Sequence, residues 1–320
     1  LVEFNDLGEV VECRGNPIMP IGKDVVYEDS DESEQLLKGD DRKRVLKSLV
    51  QYPEFQLVKE EDAATVALLE EFDEQVTELE QTVIGEVATD LCLERWPGQG
   101  QSSLCTPEAT TANGSDISNI VAKAFLTVTP TADFAIQNGG GVRVDVPAGD
   151  YTIADAYTLL PFSNTLVILE MTGQEVIDVL EDALSNTLDD GGSTGSYPYA
   201  SGIRYHVDAS AGFGNRVSNA EVNPQLAGEW MPIDTSATYF VVTNDFIASG
   251  RDGYDTFAPI FQAGKFEDTF TEYAQGFVDY VEGLAGSGEA VDKLPLAEYS
   301  TQSYIGTDGC DHSSESCEGF

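Results

Sequence analysis

Between residues 62 and 82 the apolar side chains Leu69, Phe72, Val76 and Leu79 recur every three or four positions, laying one apolar stripe along a predicted helix. Glu71, Asp73, Glu74, Glu78 and Glu80 occupy the other faces, and a stripe of this kind is ordinarily the face that packs into a core. A shorter helix is expected over 41–51. Ahead of both, the stretch from Leu1 to Val11 reads as two short strands turning at Asp6-Leu7-Gly8, and Tyr27 to Asp40 is dominated by Asp, Glu and Ser, as a solvated linker is. A hairpin with no further sheet to join is only marginally stable, so residues 1–22 are expected to be the last strands of a larger upstream domain.

From Val83 the pattern becomes an alternation of helix and strand. Ile117, Ile120, Val121 and Phe125 form one face of a helix that Ser115 or Asp116 can cap, and Phe134 to Gln137 is a buried strand. Ile153 to Leu160 is a short helix ended by Pro161, and Thr165 to Met171 is a strand. Thr172 and Glu175 have capping-box spacing ahead of a helix with Val176, Ile177, Leu180 and Leu184 on one side. After a flexible loop at 189–196, strands are expected near 201–207, 217–222 and 237–244. Phe270, Tyr273, Phe277, Tyr280, Val281 and Leu284 stripe a terminal helix, and 285–320 reads as mostly coil. The expected class is α+β, an α/β mixed sheet with flanking helices. It would occupy 83–300, after an acidic linker and helical segment (23–82) and before a Cys-containing acidic tail (301–320).

Charge narrows the partners. The chain has 320 residues with 16 Lys and Arg against 57 Asp and Glu, a formal net charge of −41, which repels nucleic-acid backbones and anionic membranes. No apolar run approaches the roughly 18 residues that a membrane span needs. Clusters of acidic oxygens can bind Ca²⁺ weakly. Five cysteines are present. Cys92 and Cys105 flank a Pro/Gly/Gln-rich loop, and Cys310 and Cys317 a short polar one, without the histidines of a zinc site. Two local disulfides in an oxidising compartment fit that arrangement, leaving Cys13 over.

Candidate chemistry lies in three stretches. In Ala135-Ile-Gln-Asn138-Gly139-Gly140-Gly141-Val-Arg143, a glycine triplet ends a buried strand, as it would where backbone presses against a ligand or another segment. A tight turn followed by a surface arginine would read the same way. Leu159-Leu160-Pro161-Phe162-Ser163-Asn164 and Asn244-Asp245-Phe246-Ile-Ala-Ser-Gly250-Arg251-Asp252-Gly253-Tyr254 each place a phenylalanine among turn-forming residues. Two aromatic faces can sandwich a flat ring, and an ionised Asp252 is an acceptor suited to a vicinal diol.

These stretches, in this order and spacing, resemble the three signature motifs of the C-terminal domain of 5'-nucleotidases over about residues 83–300. The bacterial NAD-nucleotidase-like branch is the nearest in look, through Arg95-Trp96-Pro97-Gly98-Gln99-Gly100, Gly114-Ser115-Asp116-Ile117 and Tyr157 to Leu166. The resemblance implies that Phe162 and Phe246 sandwich a nucleobase, that Asn138 contacts its edge and that Arg143 and Asp252 hold the ribose. Gly139, Gly140, Gly141, Gly250 and Gly253 would shape the loops, with Asn164, Arg251 and Tyr254 behind them. Members of the family commonly carry a further arginine ahead of the helix near Ser118, whereas here Ala112 to Asp116 contains no basic residue.

The resemblance also implies a partner that the sequence does not show, an upstream metallophosphoesterase domain holding two divalent metal ions. His206 and His312 are the two histidines, and neither has a His/Asp cluster around it, so no catalytic metal centre is expected here. No Lys-Ser/Thr follows the glycine triplet, which argues against a P-loop. The expected function is the nucleotide-recognition part of a secreted or periplasmic 5'-nucleotidase acting on nucleotides or NAD-derived substrates. The alternative is a non-catalytic acidic extracellular module that self-associates or assembles through Ca²⁺.

Overall fold

Alternate residues of the strand β1 (Phe134–Asn138) enter different cores, Phe134 and Ile136 on one side and Ala135 on the other. A strand buried on both faces reads as a continuous apolar run, as this one does. The same alternation runs along β2 (Thr165–Thr172), where Leu166 and Ile168 oppose Val167, Leu169 and Met171. With β3 (Pro198–Ser201), β4 (Thr238–Asn244) and β5 (Phe266–Glu272) these strands form a mixed five-stranded sheet of order β3-β1-β4-β2-β5. β1 and β4 are parallel neighbours, and the other pairs are antiparallel.

Helices cover both faces. On one side lie α1 (Asp116–Val128), with Ile117, Ile120, Val121 and Phe125 fully buried, and α3 (Tyr273–Ser287), with Tyr273, Phe277 and Val281 buried. On the other lies α2 (Gly173–Leu188), through Val176, Val179, Leu180 and Leu184. Both N-termini are set by local chemistry. The Ser115 hydroxyl accepts from the Ser118 N–H, and Thr172 and Glu175 form the expected capping box. The second face also carries a smaller sheet of Met231–Pro232, Val217–Val222, Ile203–Asp208 and Thr301–Ile305.

The computed structural model describes residues 2–4, 10–13, 18–22, 25–28, 34–58 and 62–312, and the chain divides into two units, Leu1–Thr77 and Glu78–Phe320. The elements above belong to the second. In the first, Val2–Phe4 pairs with Val10–Cys13, and Met19–Ile21 with Phe55–Leu57. The turn expected at Asp6-Leu7-Gly8 lies outside the described residues. Val26–Glu28 pairs with Glu34–Leu36 inside the stretch expected to be a linker. The helices are Gly39–Leu49 and Ala63–Glu80, the latter ending three residues past the unit boundary at Thr77.

Two expectations need correction. The stripe Leu69, Phe72, Val76 and Leu79 is 47–61% exposed rather than packed, because periodicity shows that a face is apolar without saying what covers it. Phe270 is not on the terminal helix. It lies in β5 with a positive φ of 57° and is 85% exposed. There Thr165 pairs with Glu272 and Val167 with Asp268, so β5 bulges at Phe270, whose N–H donates to Asp268. The region after 285 is mostly coil as expected, but it contributes one strand, Thr301–Ile305, which runs parallel to Ile203–Asp208.

Candidate functional site

The three stretches singled out in the sequence meet at one edge of the five-stranded sheet. β1 ends at Asn138. β4, parallel to it, ends at Asn244 and leads into the turn of helix Asp245–Ala248 that carries Phe246. β2 runs the opposite way with Leu166 opposite Asn244, so Phe162 and Asn164, just before its start, fall at the same edge. A cleft of about 240 Å³ opens there. Asn138, Gly140, Gly141, Arg143, Phe162, Asn164, Phe246 and Asp252 line it, and so do Arg95, Ser193 and Gly195.

Little room is left beside the glycines where the loops touch. A Cβ on Gly139 would lie 2.9 Å from the Arg95 carbonyl oxygen, one on Gly140 3.1 Å from the Gly195 Cα, and one on Gly141 2.2 Å from the Gln137 amide. Gly139 and Gly140 are thus pressed against other chain segments, while Gly140 and Gly141 line the cleft. Gly250 and Gly253 have φ of 88° and 76° and bracket Asp252, itself left-handed at 55°. A Cβ on Gly253 would come within 2.4 Å of the Asn186 Cβ. Asp is among the few residues that visit this region without large penalty, and strain of this kind concentrates where a side chain must be aimed.

A hydrogen-bond chain does the aiming. Asn138, 3% exposed, donates from its amide nitrogen to an Asp252 carboxylate oxygen at 2.8 Å, and its own oxygen accepts from Gln137 and Asn244 at 3.2 Å each. Arg143 donates to the Gly140 carbonyl at 3.1 Å, and its guanidinium lies 5.7 Å from the centre of the Phe162 ring. Phe162 and Phe246 are 44% and 40% exposed, and among the described residues their rings do not contact one another. Tyr254 is buried and donates to the Ser196 carbonyl, while Arg251 is exposed.

Four participants were given no role at the cleft by the sequence reading. Ser193 and Gly195 come from the loop read simply as flexible. Tyr273 joins two stretches, since its hydroxyl accepts from the Phe162 N–H at 3.0 Å and donates to the Gly141 carbonyl at 3.4 Å. Burial pushes that phenol well above its usual range, which keeps it protonated and able to donate. Arg95 reaches the cleft from the loop after Val83–Val87. Desolvation and the nearby Arg143 charge lower its pKa, and Asp252 opposes them. Ala112 to Asp116, at the start of α1, contains no basic residue, and Arg95 is the basic residue that lines the cleft from outside the three motifs.

The Arg95 loop is closed by a disulfide between Cys92 and Cys105, whose Cα atoms are 5.9 Å apart. Cys310 is also disulfide-bonded, and Cys317 lies outside the described residues. Two groups of three candidate metal ligands occur among the described residues, Cys92/Cys105/Asp116 and Asp308/Cys310/His312. In both the cysteines are tied up as disulfides, so neither offers the thiolates or the His/Asp set of a two-metal phosphoesterase centre.

Comparison with known proteins gives a consistent picture. The family profile described as the 5'-nucleotidase C-terminal domain matches residues 83–259. The NAD 5'-nucleotidase of Haemophilus influenzae is 35% identical over 249 residues, 77% of this chain and 40% of that protein. The solved structure of Haemophilus influenzae NAD nucleotidase superposes with a TM-score of 0.63 at 30% identity, covering 95% of this chain and 52% of that one. A 5'-nucleotidase precursor from Thermus thermophilus gives a TM-score of 0.57 at 25% identity, covering 85% and 53%. The chain spans less than half the length of the curated relatives it matches.

Proposed function

This chain belongs to the family of 5'-nucleotidase C-terminal domains, and from that premise we propose that its cleft is the nucleoside-recognition site of a 5'-nucleotidase. The base lies between Phe162 and Phe246. Asn138, one of whose amide N–H groups serves Asp252, offers the other to the base edge. Asp252 accepts from the ribose diol, and Arg143 stands at the same sugar, its charge resting beside the Phe162 ring. The observation that carries this reading is the pair of phenylalanines, each leaving 40% or more of its surface in water beside a preset carboxylate. Aromatic faces exposed in a cleft and not stacked on each other suit a flat ring between them.

In the whole protein the phosphate ester would be cleaved in an upstream domain whose two-metal centre activates water. This chain's part is to deliver the nucleotide, its segment before residue 83 acting as a hinge. The Cys92–Cys105 disulfide supports a periplasmic or extracellular setting. The Haemophilus relative's name makes NAD or its breakdown products the first substrates to try. Isothermal titration with adenosine tests the reading. One-to-one binding is expected, and no heat at millimolar ligand would refute it.

A further inference from the structure

Asp308, Cys310 and His312 stand on one turn after the strand Thr301–Ile305. Backbone bonds build the turn. The Gly306 N–H donates to the Cys310 carbonyl, the Gly309 N–H to the Gly306 carbonyl and the His312 N–H to the Tyr304 carbonyl, each at 2.9 Å. The His312 ring stacks on Tyr304, with centroids 6.0 Å apart and 23° between the planes, and the Asp308 carboxylate accepts from the Cys310 N–H at 2.9 Å. The turn thereby brings one oxygen, one sulfur and one nitrogen to within 4.8 Å of one another. They converge over Gly306, where a Cβ would lie 2.8 Å from Asp308 Oδ1 and 2.9 Å from His312 Nε2. The space that this glycine leaves opens to solvent through a groove of about 390 Å³ between the turn and the Trp96 loop, which gives an ion a way in.

Carboxylate, imidazole and thiolate together are zinc ligands, whereas calcium and magnesium take oxygen alone. Around a tetrahedral zinc such atoms stand roughly 3.5 Å apart, so the turn has to close by roughly 1 Å. What withholds the sulfur is oxidation, since Cys310 is disulfide-bonded and the metal ligand is the thiolate. The other group of this kind, Cys92/Cys105/Asp116, is committed elsewhere. Its Asp116 carboxylate accepts from the Tyr299 hydroxyl at 2.6 Å and the Cys92 N–H at 3.1 Å, and pairs with Lys293 at 2.8 Å.

We propose that Asp308, Cys310 and His312 form a redox-gated site for one zinc ion, closed while Cys310 is in its disulfide and completed when that disulfide is reduced. A dithiol supplies the two electrons and two protons. Its own sulfurs join in a new disulfide, and the protein's S–S bond becomes two thiols. Zinc then displaces the Cys310 thiol proton to solvent and binds the thiolate, the Asp308 carboxylate and the neutral His312 imidazole, with water in the fourth position. Because only the reduced form holds the metal in this way, zinc also draws the disulfide toward reduction. The groove shares no lining residue with the nucleoside cleft, and the site does not depend on that reading.

The test uses Co²⁺ as a spectroscopic stand-in for zinc on the full chain, both oxidised and after treatment with dithiothreitol and its removal under argon. The reduced chain should bind one Co²⁺ with the near-ultraviolet absorption of a cobalt–thiolate bond, and Zn²⁺ should displace it. The oxidised chain should lack that absorption and bind at least about tenfold more weakly. Cys310→Ser should abolish the absorption, and His312→Gln and Asp308→Asn should each weaken binding by at least about tenfold. Asp308→Asn keeps the side chain's size and its acceptor for the Cys310 N–H, so its loss of affinity reads the ligand rather than the fold. The proposal is overturned if the reduced chain shows no thiolate absorption, if both redox forms bind equally, or if both Asp308→Asn and His312→Gln keep full affinity. An absorption that persists in Cys310→Ser would place the metal on Cys92 and Cys105 and overturn it as well.

Discussion

Replacing Phe246 by alanine separates a ligand clamp from an ordinary core residue. Phe246 sits on the short helix Asp245–Ala248, whose next two residues, Ile247 and Ala248, are fully buried, while Phe246 is 40% exposed. Full burial of a phenylalanine is worth about 1.5–3 kcal/mol, so the buried part accounts for roughly 1–2 kcal/mol. That is well short of the roughly 3–5 kcal/mol of a core Phe→Ala change. For a domain of this size the corresponding fall in melting temperature is roughly 2–8 °C. Binding should suffer more visibly. Loss of one stacking face removes roughly 1–3 kcal/mol, a weakening of about 5- to 150-fold in Kd for adenosine. Both quantities come from melting curves recorded with and without a saturating nucleoside, since ligand stabilisation follows the ratio of concentration to Kd. The clamp is refuted if the variant melts much lower yet keeps the wild-type shift on adding ligand.

Three further outcomes are expected. The pure chain should not hydrolyse AMP or NAD with any added divalent metal, because its two histidines stand in separate elements and its clustered cysteines are disulfide-bonded; chelator-sensitive turnover would contradict this. Peptide mapping of non-reduced protein should recover Cys92 linked to Cys105 and Cys310 linked to Cys317, and Cys92→Ser should destabilise the chain by roughly 2–3 kcal/mol; free thiols at all four positions would be the contrary result. The Asp189 carboxyl is held at about 2, below its usual value, by hydrogen bonds from Arg216 and Ser185. A depressed carboxylate stabilises the fold above its unfolded pKa, and that contribution is lost as the pH falls through about 2. Acid titration should therefore narrow the stability gap between wild type and Asp189→Asn below about pH 4, and a gap independent of pH would disprove the linkage.

Local signals were readable in the sequence where one segment decides the outcome. The Thr172–Glu175 capping box, the Ser115 cap and the buried strand before the glycine triplet each depend on neighbours within a few residues. The motif glycines were legible for the same reason, through positive φ at 250 and 253, although what they touch was not. Arg95, read only as part of a family-like motif, and Tyr273, read only as part of a helix stripe, were not connected to the cleft because that relation is purely tertiary, Tyr273 meeting Gly141 across 132 positions. Phe270 misled because an aromatic three residues before Tyr273 continues a helical period, while the bulge that turns it outward depends on pairing with β2. The strand Thr301–Ile305 was hidden by its polar composition, since its partner in the smaller sheet supplies the burial of Thr301 and Tyr304.

The bond from Asn138 to Asp252 joins residues 114 apart in the chain. Asp252 holds a backbone conformation that an unfolded chain seldom visits, and its aim depends on an amide oriented by Gln137 and Asn244, which end two neighbouring strands. No single loop therefore contains the proposed recognition surface. A peptide spanning 244–254, or that loop grafted onto a foreign scaffold, would present the carboxylate without its bearing. Affinity at the proposed site would be a property of the assembled sheet edge, and it would serve as a direct report on whether the whole sheet has formed.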